Sequence, residues 1–126
     1  MNEPSLQFTM RLRLYRSDFF FGPGVEELFT RIEQTGSIQR AAAGMEMSYS
    51  KALRMIRQFE QEMGVSAVQR HTGGIGGGHS SLTPAGKAFL QQYIAFKQAV
   101  YEAADALFPQ YFGPANVHAI TGGEEE

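Results

Sequence analysis

The sequence predicts a mainly α fold with a small β component, and three observations carry that prediction. Three short helical segments with their own cap signals follow one another between residues 24 and 63. A glycine-tipped hairpin comes next, over about residues 67–82. A long segment with regularly spaced apolar residues, about 84–108, closes the ordered part of the chain.

The first element is a strand. Leu6, Phe8, Met10, Leu12 and Leu14 alternate with Gln7, Thr9, Arg11, Arg13 and Tyr15, and period two over this length marks a half-buried strand at residues 6–16. The run Phe19-Phe20-Phe21-Gly22-Pro23-Gly24 breaks it, and Pro23 and Gly24 stand where a helix can begin. The first helix is expected over 24–35, with Val25, Leu28, Phe29 and Ile32 on one face. Gly36 ends it, because a glycine takes positive φ without steric penalty.

Ser37 caps a short second helix, 38–44, through a hydroxyl that accepts from a free backbone N–H. Its side chains Ile38, Ala41, Ala42 and Ala43 are mostly small, so a neighbouring helix can approach closely. Gly44-Met45-Glu46-Met47 forms a tight turn, and Ser48 caps the third helix, 49–63. On a helical wheel Ala52, Ile56, Phe59 and Met63 fall together, opposite Ser50, Arg54, Arg57 and Gln61 and flanked by Lys51 and Gln58. That helix has a core face and a cationic, hydrogen-bonding face.

Ala67 to His71 and Ser80 to Leu82 read as paired strands around Thr72-Gly73-Gly74-Ile75-Gly76-Gly77-Gly78-His79. Thr83 followed by Pro84 starts the last helix, a cap and then a first-turn proline. Phe89, Tyr93, Phe96, Val100, Ala103 and Leu107 recur at 4-3-4-3-4 spacing, the seam of a coiled coil. A helix over 84–108 would be roughly 37 Å long and outrun a small domain. Phe89, Tyr93, Phe96, Val100 and Leu107 are therefore expected to pair across a homodimer. Residues 1–108 are read as one unit, and 109–126, which lose periodicity, as a flexible tail.

Helix, short capped helix, turn, longer capped helix and glycine hairpin, in that order, make a winged helix-turn-helix with a long C-terminal dimerisation helix. Such a third helix fits the major groove of B-DNA, with its N-terminal residues at base edges. Ser50, Lys51 and Arg54 hold those positions. Arg57, Arg40, Tyr49 and the helix starts at Ser37 and Ser48 would meet phosphates. The hairpin is the wing, its glycines letting the backbone lie against the sugar-phosphate chain. Thr72, Gly76 and Gly77 are its contact residues, with Arg70, His71 and His79 near its base and tip.

The charge distribution agrees with a local basic face. The chain carries a net charge of −2. Residues 37–87 nonetheless hold six basic and three acidic groups, net +3, while 88–126 hold one and five, net −4. The local balance decides phosphate contact. The whole-chain value fits the alternative reading, a protein-interaction module on the same scaffold without specific DNA binding.

Other chemistries find little support. The glycine run is no nucleotide cradle, since His79 stands where a phosphate-binding lysine would be needed and no frame gives G-x-G-x-x-G. His71, His79 and His118 lack ligand spacing, and the chain has no cysteine, so neither a metal site nor a disulfide is expected. Glu26-Glu27, Glu46, Glu60 and Glu62 are read on solvent faces of helices, without a His or Ser partner, so no catalytic residue and no cofactor is expected. No apolar run approaches the roughly 20 residues that span a bilayer, and the N-terminus lacks a signal-peptide pattern. No membrane partner and a cytoplasmic location are the expectation.

Gly36-Ser37-Ile38, Met47-Ser48-Tyr49-Ser50-Lys51-Ala52, the run from Arg70 to Gly78 and Leu82-Thr83 together resemble the N-terminal domain of the molybdate-responsive regulators, the ModE family. The stretch from Met47 to Gly64 also resembles the recognition helix of LysR-type regulators. The ModE resemblance covers about residues 6–108, and its glycine wing is the most specific part. It implies a prokaryotic, homodimeric transcriptional regulator on a palindromic double-stranded operator. In full-length relatives a separate C-terminal module binds molybdate. Residues 109–126 are too few for that module, so molybdate is not expected on this chain and a standalone DNA-binding form is.

Overall fold

The computed structural model describes residues 5–72 and 78–122. The chain divides into two compact units, Arg11–Ile94 and a second made of Met1–Met10 with Ala95–Glu126.

The larger unit is a winged helix-turn-helix. It opens with a hairpin of β1 (Leu14–Tyr15) and β2 (Phe19–Phe21), antiparallel with a register irregularity at Leu14 and Tyr15. Three helices follow: α1 (Pro23–Thr35), α2 (Ile38–Gly44) and α3 (Tyr49–Met63). The wing strands β3 (Val68–His71) and β4 (His79–Leu82) pair antiparallel, Val68 opposite Leu82 and His71 opposite His79. α4 (Pro84–Phe112) contributes its residues 84–94 to this unit.

Local chemistry explains the helix limits. Gly36 takes φ 69°, the left-handed region, and its N–H bonds back to the Ile32 carbonyl to close α1. The hydroxyls of Ser37 and Ser48 accept from Arg40 N and Lys51 N, each at 3.0 Å, at the starts of α2 and α3. Thr83 Oγ1 accepts from Gly86 N at 3.0 Å and starts α4. Gly86 is buried where a Cβ would fall on the Ala67 carbonyl oxygen, so α4 can lie close to the strand entering the wing only with glycine there.

Two expectations change here. Of the strand anticipated at 6–16, Leu14–Tyr15 alone pairs in a ladder. The run Phe19–Phe21 does not simply break a strand but is its return partner. Three consecutive phenylalanines hide the alternation that marks a strand, because Phe20 and Phe21 are both buried at the strand's end. Phe21 becomes the centre of the core, its ring 4.7 Å from Tyr93, 4.9 Å from Phe89, 5.4 Å from Phe29 and 6.0 Å from Phe59.

The first two residues of the regularly spaced apolar series make contacts within the chain. Phe89 lies against Phe20, Phe21 and Phe59, and Tyr93 is buried with its hydroxyl donating to the Leu12 carbonyl at 2.8 Å. Tyr93 is part of the core of its own chain, and Phe89 packs against that core. Core packing and dimer packing use the same helical period, so spacing alone does not separate them.

In the smaller unit, Phe8 packs on Tyr101 and Phe108, and Phe108 on Phe112. Tyr101 bonds both the N–H and the carbonyl of Met10. α4 continues to Phe112, past Pro109, where a proline removes one intrahelical bond. α5 (Pro114–Thr121) then starts at Gly113 and ends at Gly122, with none of its residues buried. Of residues 109–126, expected as a flexible tail, 109–112 close α4 and 114–121 form α5, while Gly123–Glu126 lie outside the described residues. Among the described residues no helix is long and apolar enough to cross a membrane.

Candidate nucleic-acid interface

The interface begins with how α3 is held. Ala41 and Ala42 are fully buried, which lets α2 sit directly on α3. The chain reverses between them through Glu46, at φ 57°, with Met47 N bonded to the Ala42 carbonyl at 3.0 Å. α3 buries Ala52, Ile56 and Phe59, and this inward face fixes the outward one. Ser50, Lys51, Arg54, Arg57 and Gln61 are exposed. Arg40 on α2 is exposed too. Among the described residues, none of Arg40, Lys51, Arg54 and Arg57 forms an ion pair with a carboxylate, unlike Arg31 with Glu27 and Lys87 with Glu33.

The wing is fastened beside the start of α3. Arg70, on β3, donates to the Tyr49 hydroxyl at 2.6 Å. Ser80 N, on β4, donates to the Gly36 carbonyl at 2.8 Å, tying the wing to the turn before α2. Between these ties lies an open groove of about 380 Å³, lined by Ser37, Gln39, Tyr49, Arg70, His71 and His79 among others. Thr72 and His79 are exposed, and the rings of His71 and His79 stack 4.5 Å apart. Gly76 and Gly77, expected at the wing tip, lie outside the described residues.

The structure thus brings Ser37, Tyr49, Arg70, Thr72 and His79 around one groove, with Arg40 lining an adjoining one that shares Ser37 and His79. Ser50, Lys51, Arg54 and Arg57 stand on the exposed side of the helix that Tyr49 begins. Of the residues proposed for a dimer seam, Phe96 is 52% and Leu107 49% exposed.

Sequence reasoning missed the residues that hold this frame. Glu60 Oε2 accepts from Ala67 N at 2.8 Å, where the chain enters the wing. Glu33 Oε2 accepts from Leu82 N at 2.7 Å, where it leaves. Glu62, read as a solvent-facing carboxylate, is buried instead. It accepts from Ser17 N at 2.8 Å and from Ser17 Oγ at 2.6 Å. Its carboxyl is held below the usual range, chiefly by the Ser17 hydroxyl, then by the Ser17 and Asp18 N–H groups and the Arg16 charge, against an opposing effect of burial. Gln39, a further groove residue, also carried no signal beyond its place on α2.

Glu33, Glu60 and Glu62 each accept from a backbone N–H, Glu33 with its other oxygen 3.7 Å from Lys87 Nζ and Glu62 with its other oxygen on the Ser17 hydroxyl. Among the described residues no cluster of three or more His, Asp and Glu side chains converges as metal ligands would.

Comparison with known proteins matches residues 27–87 to the family described as bacterial regulatory helix-turn-helix protein, lysR family. Over 88 residues the chain is 34% identical to the DNA-binding transcriptional dual regulator ModE of Escherichia coli (strain K12). The transcriptional regulator ModE of Shigella flexneri matches at the same 34%. Each match covers 70% of this chain and 34% of the relative. The chain spans about a third of the length of the curated relatives it matches.

Proposed function

We infer from a ModE-like helix-turn-helix domain that this chain is a prokaryotic transcriptional regulator acting on double-stranded DNA in the cytoplasm, and not an enzyme. It binds a specific operator through α3. Arg54, Lys51 and Ser50 read base edges in the major groove, where arginine and lysine donate to guanine O6 and N7. Arg57, Arg40 and Tyr49 hold phosphates, and the wing follows the adjoining backbone.

One observation carries this reading. The exposed face of α3 presents Lys51, Arg54 and Arg57 without carboxylate partners among the described residues, while the wing is bonded to the helix's first residue. Cations left unpaired on a rigid helix offer phosphates and guanines a site that no internal anion has already filled.

Two copies acting together would place two such helices in major grooves about one turn apart, on a palindromic site. Phe96, Val100 and Leu107 are the residues proposed to join them; Phe96 and Leu107 are exposed and Val100 half-buried.

The test is a selection from random duplexes, followed by a gel shift on the selected sequence at two salt concentrations. A DNA regulator yields a discrete palindromic sequence and loses affinity steeply as salt rises. An interaction module, which the net charge of −2 suits, yields no enriched sequence and no shift.

A further inference from the structure

We propose that Arg11 and Arg13 form a second phosphate-contacting edge of the interface, on the side of α3 opposite the wing. The inference rests on the DNA reading above and extends it to residues which that reading leaves without a role.

The placement follows from α3 itself. At about 100° per residue, Tyr49 and Leu53 stand on one side of the face formed by Ser50, Arg54, Arg57 and Gln61. Met55, Gln58 and Lys51 stand on the other. The wing takes the first side through Tyr49 and Arg70. The second side is taken by the segment leading into β1. Arg11, Arg13 and Phe19 line one groove with Met55 and Gln58, about 230 Å³ in volume. Further along, Ser17 bonds Glu62 near the end of α3, so the chain from Arg11 to Ser17 runs along the helix from its middle toward its C-terminal part.

The side chains are set up for such contact. Arg11 and Arg13 are two residues apart just before β1, and both are exposed, whereas Leu12 between them is half-buried. The Arg13 guanidinium lies over the Phe19 ring, 4.2 Å from its centre. Its stem runs past Gly22, where a Cβ would come within 3.0 Å of Arg13 Cγ. Among the described residues neither arginine has a carboxylate partner. Arg16 differs, since its guanidinium donates to the Glu62 carbonyl at 3.2 Å. A helix in the major groove lies between two phosphate backbones, and contacts to both fix its register. The wing serves one and this arginine pair the other.

The experiment compares the full chain with its Arg11→Ala/Arg13→Ala variant, on a selected operator and on unrelated duplex, across a salt series. Loss of two phosphate contacts should weaken both duplexes by the same factor. It should also lower the slope of log affinity against log salt by about two. The Arg11→Lys/Arg13→Lys variant should keep most of the slope, and unfolding curves should match wild type. Wild-type binding with an unchanged slope in the alanine variant overturns this proposal and leaves α3 as the interface. No salt-dependent binding by wild type overturns the DNA reading itself.

Discussion

Arg70 on the wing strand β3 donates a 2.6 Å hydrogen bond to the phenol of Tyr49, the first residue of α3. One bond therefore couples the two elements proposed to touch DNA. Removing its acceptor in Tyr49→Phe keeps the ring and frees the guanidinium. Operator affinity should fall by about 1 kcal/mol, the usual net worth of one hydrogen bond. Both groups are exposed, so the unfolding midpoint should hardly move. Titration of a labelled operator beside a thermal melt checks this, and equal losses in both would mean the bond only stabilises the fold.

Phe21 is 2% exposed and meets four other rings. Phe21→Ala should cost about 3–5 kcal/mol, the range for removing a buried aromatic ring. Denaturant unfolding measures it. A loss under 1 kcal/mol would show that the β1–β2 hairpin is peripheral to the core.

Glu62 predicts a pH dependence. Its carboxyl is held below the usual glutamate value of 4.5, first by the Ser17 hydroxyl. A carboxyl with a lowered folded-state pKa binds fewer protons folded than unfolded in the window between the two values, so stability rises with pH there. The contribution is fully present above about 4.5 and disappears as pH falls through the lower folded-state value. Ser17→Ala should be less stable than wild type at pH 7, and the gap should narrow as the pH drops below that range. A gap that stays constant would assign the loss to packing.

Subunit association should depend on the outer part of the 4-3-4 series. Phe96→Glu, at a residue 52% exposed, should shift a dimer toward monomer in sedimentation equilibrium while leaving the fold intact. Tyr93→Ala should destabilise the subunit instead, since Tyr93 is in the aromatic core. If both variants merely unfold, the series belongs wholly to the subunit interior.

Legibility in the sequence followed the range of the interactions. α2 and α3 begin where Ser37 and Ser48 cap them, and α1 and α3 end at Gly36 and Gly64, because caps act within three or four residues. The exposed face of α3 followed from its period. β2 did not, because Phe20 and Phe21 are both inward at a strand end and no alternation survives. Glu33, Glu60 and Glu62 were opaque for another reason. Each accepts from a backbone N–H, for Glu33 and Glu62 more than forty residues away in sequence, and a backbone donor leaves no mark in residue type. The pairing of Arg11 and Arg13 with the flank of α3 depends likewise on the hairpin fold.

The most direct test of the interface is a binding-site selection repeated with Arg54→Ala. Arg54 is exposed on the cationic face of α3. Losing its donors should cost about 1–3 kcal/mol on the wild-type operator and relax preference at one base position in each half-site. An identical selected sequence at unchanged affinity would contradict the placement of α3 against DNA.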